Sequence, residues 1–401
     1  MTMVQQAVFL VGGRGTRLGH LAQETPKPLM EIEPDRRFLD YILENTARQG
    51  FTEILLLAGH LGEQVEARYN GMRVRGANVS VIREHAPQGT GGALRLAADR
   101  LDSVFLLANG DSYFDINIRA LAAGLPTKAA ARLALREVPD PGRYGSVVLE
   151  NETVVRFLEK DPHMAGPALI NGGIYVLRRE VAESVTGPCS IESDIFPELA
   201  AMGRLEGKAF DGYFLDIGLP ETLSQAKLEL PLQRERQCVF LDRDGVLNAD
   251  SGYTHQPEDL VWIAGAREAV RYLNDRGCLV IVITNQAGIA KGYYTEEDMH
   301  RFHLAMTVGL AAEGAYVDGW YHCPYHADGT VVPFAVADHP DRKPNPGMIL
   351  RALADWPVQR QGSFVVGDRE SDLEAARRAG LQGHLFDGGN LLEFLKSLTN
   401  R

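Results

Sequence analysis

Short apolar runs of strand length recur along the chain, separated by segments with the spacing of amphipathic helices. In the first half they are Ala7–Val11, Glu53–Ala58, Val79–Arg83 and Val104–Ala108; a second set begins at Cys238–Leu241 and continues through Leu279–Thr284 and Ser363–Val366. Alternation of this kind predicts parallel sheets with helices on their faces. Between the two sets lies Ser224–Gln237, charged, amphipathic and interrupted by Pro231, which reads as a terminal helix followed by a short linker with a boundary near Arg234. Two α/β domains are therefore expected, residues 1–233 and 237–401. No period of 20 to 50 residues repeats along the chain, so solenoids and propellers are set aside.

Bulk properties narrow the function classes. A chain of 401 residues is too long for one ordinary core, and 45% hydrophobic with 23% charged residues is the composition of a folded globular protein. The formal net charge of −12 argues against a nucleic-acid or anionic-membrane surface, so an anionic substrate must be met by local cations. The four cysteines, Cys189, Cys238, Cys278 and Cys323, form no CxxC, which suits a reducing compartment. The longest apolar stretches, such as Leu279–Ile283, are strand-sized, and Met1–Gln6 lacks a basic flank and an apolar core, so a cytoplasmic location is expected.

The first candidate site follows the first strand: Gly12-Gly13-Arg14-Gly15-Thr16-Arg17-Leu18, then Thr25-Pro26-Lys27-Pro28-Leu29. Adjacent glycines let backbone N–H groups approach phosphate oxygens, while Arg17 and Lys27 can neutralise their charge. Neither GxxxxGK[ST] nor GxGxxG is present. The pattern GGxGTRL followed by PKP resembles the sugar-nucleotide pyrophosphorylase family, and the resemblance covers about residues 4–225. It implies a fold of the nucleotidyltransferase (GT-A-like) type. Nucleotide contacts would fall on Gly12, Gly13, Gly15, Thr16, Gln88, Gly89 and Asn109, and sugar-phosphate contacts on Gly145, Glu159, Lys160, Asn171 and Gly172. Asp111 and Asp216 would hold a Mg2+. In that chemistry a sugar 1-phosphate oxygen attacks the α-phosphorus of a nucleoside triphosphate and pyrophosphate leaves, with Arg17 on the leaving phosphates, Lys27 near the reacting ones and no protein nucleophile.

The second candidate site begins where Cys238–Leu241 ends in Asp242-Arg243-Asp244-Gly245. Residues two apart on an extended chain face the same way, so Asp242 and Asp244 point into one space, and two carboxylates together need a cation. Further strands end in Thr284-Asn285-Gln286 and in Gly367-Asp368-Arg369-Glu370-Ser371-Asp372, with Arg342-Lys343-Pro344 between them. This ordered set resembles the four motifs of the haloacid-dehalogenase phosphatase superfamily, over about residues 237–390. It implies Asp242 as nucleophile, Asp244 as acid and base, and a second Mg2+ on Asp242, Asp368 and the Asp244 main chain. Thr284, Asn285, Arg342 and Lys343 would meet the substrate, and Asp372 would be a supporting carboxylate. The short chain between Asp242, Thr284 and Lys343 leaves no room for a large cap. Both halves thus read as Rossmann-like three-layer α/β domains.

Tyr253, Asn285–Ala290 and Arg342–Met348 resemble one branch of that superfamily, the D-glycero-D-manno-heptose 1,7-bisphosphate phosphatases and related histidinol-phosphate phosphatases. That branch usually carries a structural zinc on Cys-x-His and Cys-x-Cys, where this chain has Cys323, Tyr325, His339 and Asp341, so the thiolate-rich set is missing and zinc is not expected; a mixed Cys323, His326, His339, Asp341 site is the minority alternative. His300 and His303 read as an ordinary helix face. Fusion of the halves implies that one product feeds the other: removal of the 7-phosphate gives heptose 1-phosphate, which the resemblance pairs with GTP and the α-anomer. Gln88–Gly92 does not identify the base. A hexose 1-phosphate transferase using UTP, CTP or ATP joined to another phosphatase is the alternative, and an N-terminal nucleotide-binding regulatory module a third. In each case the expected partners are small molecules, nucleoside triphosphate and sugar phosphates.

Overall fold

The computed structural model describes residues 3–139, 141–142, 145–158 and 166–399, which form two compact units that divide between Leu232 and Gln233. In the first unit a 10-stranded sheet is centred on Gln6–Leu10, which pairs in parallel with Glu53–Ala58 on one side and Val104–Asn109 on the other. Ala77–Arg83 continues the parallel half beyond Glu53–Ala58. Successive side chains of a strand point to opposite faces. Ala7, Phe9, Ile54, Leu56, Leu106 and Ala108 accordingly enter one core, and Val8, Leu55, Leu57, Phe105 and Leu107 the other. Helices cover both cores, which yields the three layers.

Beyond Val104–Asn109 the sheet departs from the all-parallel expectation. Ala168–Arg178 runs antiparallel to Val104–Asn109 and to Ala131–Val138, and Ser146–Glu150 with Thr153–Leu158 extends that half. Antiparallel neighbours need no crossover helix, so these strands lack the strand–helix alternation that exposes the parallel ones in sequence. A second departure is the helix Pro220–Arg234, which runs through Pro231 without a break. The hydrogen bond that proline cannot donate falls in the last turn, where the helix ends anyway.

The second unit holds a 5-stranded, wholly parallel sheet in the spatial order Gly319–Cys323, Leu279–Asn285, Cys238–Leu241, Phe364–Gly367, Gln382–Leu385. Val239, Leu241, Val280 and Val282 face one core, while Cys238, Phe240, Leu279, Ile281 and Ile283 face the other. The first strand of this unit lies between strands reached in opposite directions, and so does Gln6–Leu10 in the first unit. Open α/β sheets bind ligands beyond the carboxyl ends of strands at such switch points. Among the described residues no helix is long and apolar enough to cross a membrane.

Candidate active sites

In the first unit the chain leaves Gln6–Leu10 and packs against the neighbouring loop so closely that a Cβ on Gly12 would lie 2.8 Å from the Gly59 nitrogen. Gly15 sits at φ 60, in the left-handed region that costs glycine little, and opens the turn Thr16–Leu18. Together Gly12, Gly13, Gly15, Thr16, Arg17 and Lys27 line a cavity of about 600 Å3, whose wall also includes Asn109, Asp111, Gly89 and Gly218.

Lys27, held between two prolines, is buried, and its ammonium lies 2.7 Å from Asp111 Oδ2 and 3.6 Å from Asp216 Oδ2. The Ser112 hydroxyl is 3.3 Å from both carboxylates, and Gly218 N–H donates to Asp216 Oδ1 at 2.8 Å. Arg17 closes the group: its Nη2 is 3.1 Å from where a Gly218 Cβ would stand. Two carboxylates thus share one ammonium, and the excess negative charge fits a divalent cation.

Other expected contacts are distributed differently. Asn171 Nδ2 donates to Tyr175 Oη at 2.8 Å and to Glu192 Oε1 at 3.2 Å, and the buried Tyr175 hydroxyl donates to the same Glu192 oxygen at 2.9 Å. Gly145 receives the Asn171 N–H at 3.1 Å, and a Cβ on Gly172 would strike Phe114 at 2.6 Å. Gln88 is not part of the cavity wall; its stem lies 2.4 Å from a Cβ placed on Gly92. Glu159 and Lys160 lie outside the described residues. The sequence reading missed Arg14, Glu84 and Glu192, all on the wall. Arg14 sits inside the glycine motif and was legible there. The two glutamates carry no local signal.

In the second unit the strand end at Leu241 delivers Asp242 beside Lys343, whose ammonium is 2.9 Å from Asp242 Oδ2, 2.6 Å from Asp372 Oδ1 and 3.0 Å from the Ile283 carbonyl. Arg243 N–H donates to Asp242 Oδ1 at 2.7 Å. Burial raises the Asp242 carboxyl to about 7 against the opposing pull of Lys343. Burial alone would favour a neutral Lys343, but Asp242 and Asp372 hold it above its usual range. Asp244 is gripped on Oδ1 by Arg243 at 2.9 Å and Asn248 at 3.0 Å, and on Oδ2 by Gln286 at 3.0 Å. Gln286 also donates to the buried Thr284 hydroxyl at 2.7 Å.

Asp242, Asp368 and Asp372 each offer an oxygen within 4.8 Å of the others, the only such acidic, histidine or cysteine group among the described residues. Asp368 Oδ1 is buried without a hydrogen-bond partner, and burial raises that carboxyl too. Gly245, at φ 84, makes room for Asp368, since a Cβ there would lie 2.3 Å from its Oδ2. An orphaned carboxylate oxygen beside a second carboxylate fits a divalent cation. The Asp244 side chain turns toward Arg243, Asn248 and Gln286, which leaves its main chain to face such a site.

Two expected substrate contacts turn inward. Asn285 Nδ2 donates to the Lys343 carbonyl at 3.1 Å while its Oδ1 accepts the Lys343 N–H at 3.1 Å, so it clamps the backbone that carries the lysine. Arg342 Nη1 donates to the Tyr325 carbonyl at 3.0 Å. His303, expected on an ordinary helix face, lies on the buried face of its helix, where its ring stacks on Trp320 at 4.4 Å and its Nε2 lies 3.3 Å from Arg243 Nη1. Burial, then the positive Arg243, pushes this imidazole far below its usual range, leaving a neutral acceptor. Cys323, His326, His339 and Asp341 do not gather into a zinc site. The His339 ring stacks on Tyr325 at 3.8 Å and its Nδ1 accepts the Asp341 N–H at 3.1 Å, while Asp341 pairs with Arg351 at 3.0 Å.

These two centres define a double-headed α/β phosphoryl-chemistry protein, one half with a glycine-loop cavity and the other with a buried Asp–Lys–Asp cluster. The chain belongs to the nucleotidyl transferase family, whose model matches residues 6–232, and its C-terminal domain is haloacid-dehalogenase-like, with a HAD-hydrolase-like match over residues 341–393. The C-terminal half is similar to the D-glycero-beta-D-manno-heptose-1,7-bisphosphate 7-phosphatase of Rhodopseudomonas palustris, 43% identical over 164 residues, which are 41% of this chain and 90% of that one. The N-terminal half is similar to the D-glycero-alpha-D-manno-heptose 1-phosphate guanylyltransferase of Aneurinibacillus thermoaerophilus, 33% identical over 229 residues, 56% of this chain and 98% of that one. Among solved structures, HddC from Yersinia pseudotuberculosis complexed with GMP-PN aligns with a TM-score of 0.51 at 28% identity, over 56% of this chain and 99% of that one.

Proposed function

We propose that the two halves catalyse consecutive steps: residues 237–401 remove the 7-phosphate of D-glycero-D-manno-heptose 1,7-bisphosphate, and residues 1–233 join the resulting heptose 1-phosphate to GMP from GTP. The observation that carries this reading is the pairing within one chain of relatives named for a heptose bisphosphate phosphatase and a heptose 1-phosphate guanylyltransferase, each aligned to a half with its own acid–lysine centre. The triphosphate substrate fits a cytoplasmic enzyme.

In the phosphatase half a carboxylate oxygen of Asp242 attacks the 7-phosphorus in line. The bond from phosphorus to the sugar oxygen breaks, and that oxygen takes a proton from Asp244. Asp244 then removes a proton from water, which attacks the aspartyl phosphate, releases phosphate and restores Asp242. Arg243, Asn248 and Gln286 fix the Asp244 carboxyl for both transfers. Lys343 and the Thr284 hydroxyl meet the phosphoryl oxygens. In the transferase half a phosphate oxygen of heptose 1-phosphate attacks the α-phosphorus of GTP and the bond to the β-phosphate breaks. Arg17 and the glycine-loop N–H groups take up charge on the departing pyrophosphate, and Lys27 faces the reacting phosphates. Mg2+ held by Asp111 and Asp216 in one half, and by Asp242, Asp368 and the Asp244 main chain in the other, would screen the charge crowded together in each reaction.

Separate sites make separable variants. Asp242→Asn should abolish phosphate release while leaving transfer to supplied heptose 1-phosphate at the parent rate, and Asp111→Asn should do the reverse. Loss of both activities in either variant would contradict the assignment.

A further inference from the structure

In the phosphatase half Asp244 must give up a proton and take one back, and the group on its Oδ2 is an amide that could face it with either end. Gln286 is 1% exposed, and its Nε2 donates to Asp244 Oδ2 at 3.0 Å and to the Thr284 hydroxyl at 2.7 Å. Both amide hydrogens are used there. The other end, Oε1, accepts from the Tyr294 hydroxyl at 2.6 Å. Tyr294 is also buried, and burial pushes its phenol above the usual range, so it stays a donor. Three features place that hydroxyl. Thr295, the next residue, caps the helix Glu296–Ala312 in a reciprocal pair with Asp298, which fixes the backbone at the helix entrance. The Tyr294 ring lies nearly flat on His255, with ring centroids 4.5 Å apart. Gly288 leaves the ring its space, since a Cβ there would overlap it.

Reversing the amide would set its oxygen against the Asp244 carboxylate and turn its hydrogens toward the phenol. Thr284 would then donate its own proton to Gln286, whereas in the observed arrangement that proton is left for a phosphoryl oxygen. A carboxylate and a phenol on opposite sides of one buried amide select a single orientation, and the donors run in one direction from Tyr294 through Gln286 to Asp244. We infer that Tyr294 is a positioning residue for the phosphatase reaction: through Gln286 it aims the Asp244 carboxyl at the departing sugar oxygen. The inference rests on the reading of Asp244 as the acid and base of this site. Without the hydroxyl, Gln286 Oε1 becomes a buried acceptor with no donor, and the amide loses the contact that keeps it turned toward Asp244.

The test uses the full chain with Mg2+ and compares kcat/KM for heptose 1,7-bisphosphate with that for p-nitrophenyl phosphate. This ratio reports the steps up to departure of the alcohol, where a sugar oxygen needs the Asp244 proton and p-nitrophenolate does not. Tyr294→Phe removes one oxygen and keeps the ring. It should lower the bisphosphate value about tenfold and the p-nitrophenyl value by less than about twofold, the latter also showing that the variant centre is folded. A second arm repeats the substitution in a Gln286→Leu background, where it should cost less than about twofold on the bisphosphate, because the residue through which Tyr294 acts is gone. Equal losses with both esters in Tyr294→Phe, or a full tenfold loss in the Gln286→Leu background, would overturn the inference in favour of a packing role. Parent rates with both esters would overturn it as well, while the phosphatase reading stands. If the unaltered chain releases phosphate from neither ester, both fail.

Discussion

Replacing Lys343 by Met is the most informative single perturbation of the phosphatase centre. The side chain is 3% exposed, and its ammonium neutralises Asp242 and Asp372 at 2.9 and 2.6 Å while satisfying the Ile283 carbonyl. Methionine fills similar volume, so the loss is electrostatic: breaking a buried pair from one side costs about 3–5 kcal/mol. For a domain of this size about 1 kcal/mol shifts Tm by about 2–4 °C, which predicts a fall of about 6–20 °C in the transition of the C-terminal unit. The effect should depend on pH. The folded Asp242 carboxyl, at about 7, lies above its ordinary 3.8. The folded state therefore keeps a proton that the unfolded chain has lost, and stability declines as pH rises between those values and levels off above. Without Lys343 the folded value climbs further, so the decline continues past pH 7. Calorimetry in EDTA should show a larger deficit at pH 8 than at pH 5. A Tm change below about 2 °C at pH 8, or equal deficits at both pH values, would refute the reasoning.

Further outcomes follow from single contacts. Lys27→Gln should lower kcat/KM for pyrophosphate release about 100-fold or more while leaving phosphate release at the parent rate, as measured by separate assays of the two products. Asn285→Ala, which removes both hydrogen bonds that clamp the Lys343 backbone, should lower phosphatase kcat about tenfold with little change in KM, because it displaces the charge set on the reacting phosphoryl group and leaves contacts to the sugar in place. Because Tyr325 and His339 stack where a zinc loop would gather, metal analysis of the purified chain should find zinc well below one per molecule, and a zinc-selective chelator should leave the phosphatase rate intact with Mg2+ in excess. Stoichiometric zinc would contradict this.

Features set by local sequence were legible and those set by distant pairing were not. The glycine loop, Lys27 between its prolines and the Asp242-Arg243-Asp244-Gly245 run each announce their chemistry within a few residues, and the strands that deliver them carry continuous apolar runs. Ala131–Val138 and Ala168–Arg178 were invisible because antiparallel pairing has no accompanying helix period. Glu192 reaches the cavity only through Tyr175 and Asn171, and no spacing encodes that meeting. Asn285 was legible as a site residue, but which way an amide points is decided by the backbone it meets, here that of Lys343. The buried Arg243, stacked 4.8 Å above Phe302 and bound to Asp244, likewise reads as surface charge until its helix neighbour is known.

The account rests on sequential use of two phosphate esters by one chain. Phosphorus NMR of the full protein with heptose 1,7-bisphosphate, GTP and Mg2+ tests it directly, followed with each anomer in turn. The prediction is that the 7-phosphate resonance disappears first with growth of inorganic phosphate, and that pyrophosphate and a GDP-heptose then rise together. Pyrophosphate appearing while the 7-phosphate is retained, or inorganic phosphate with no nucleotide sugar at any time, would contradict it.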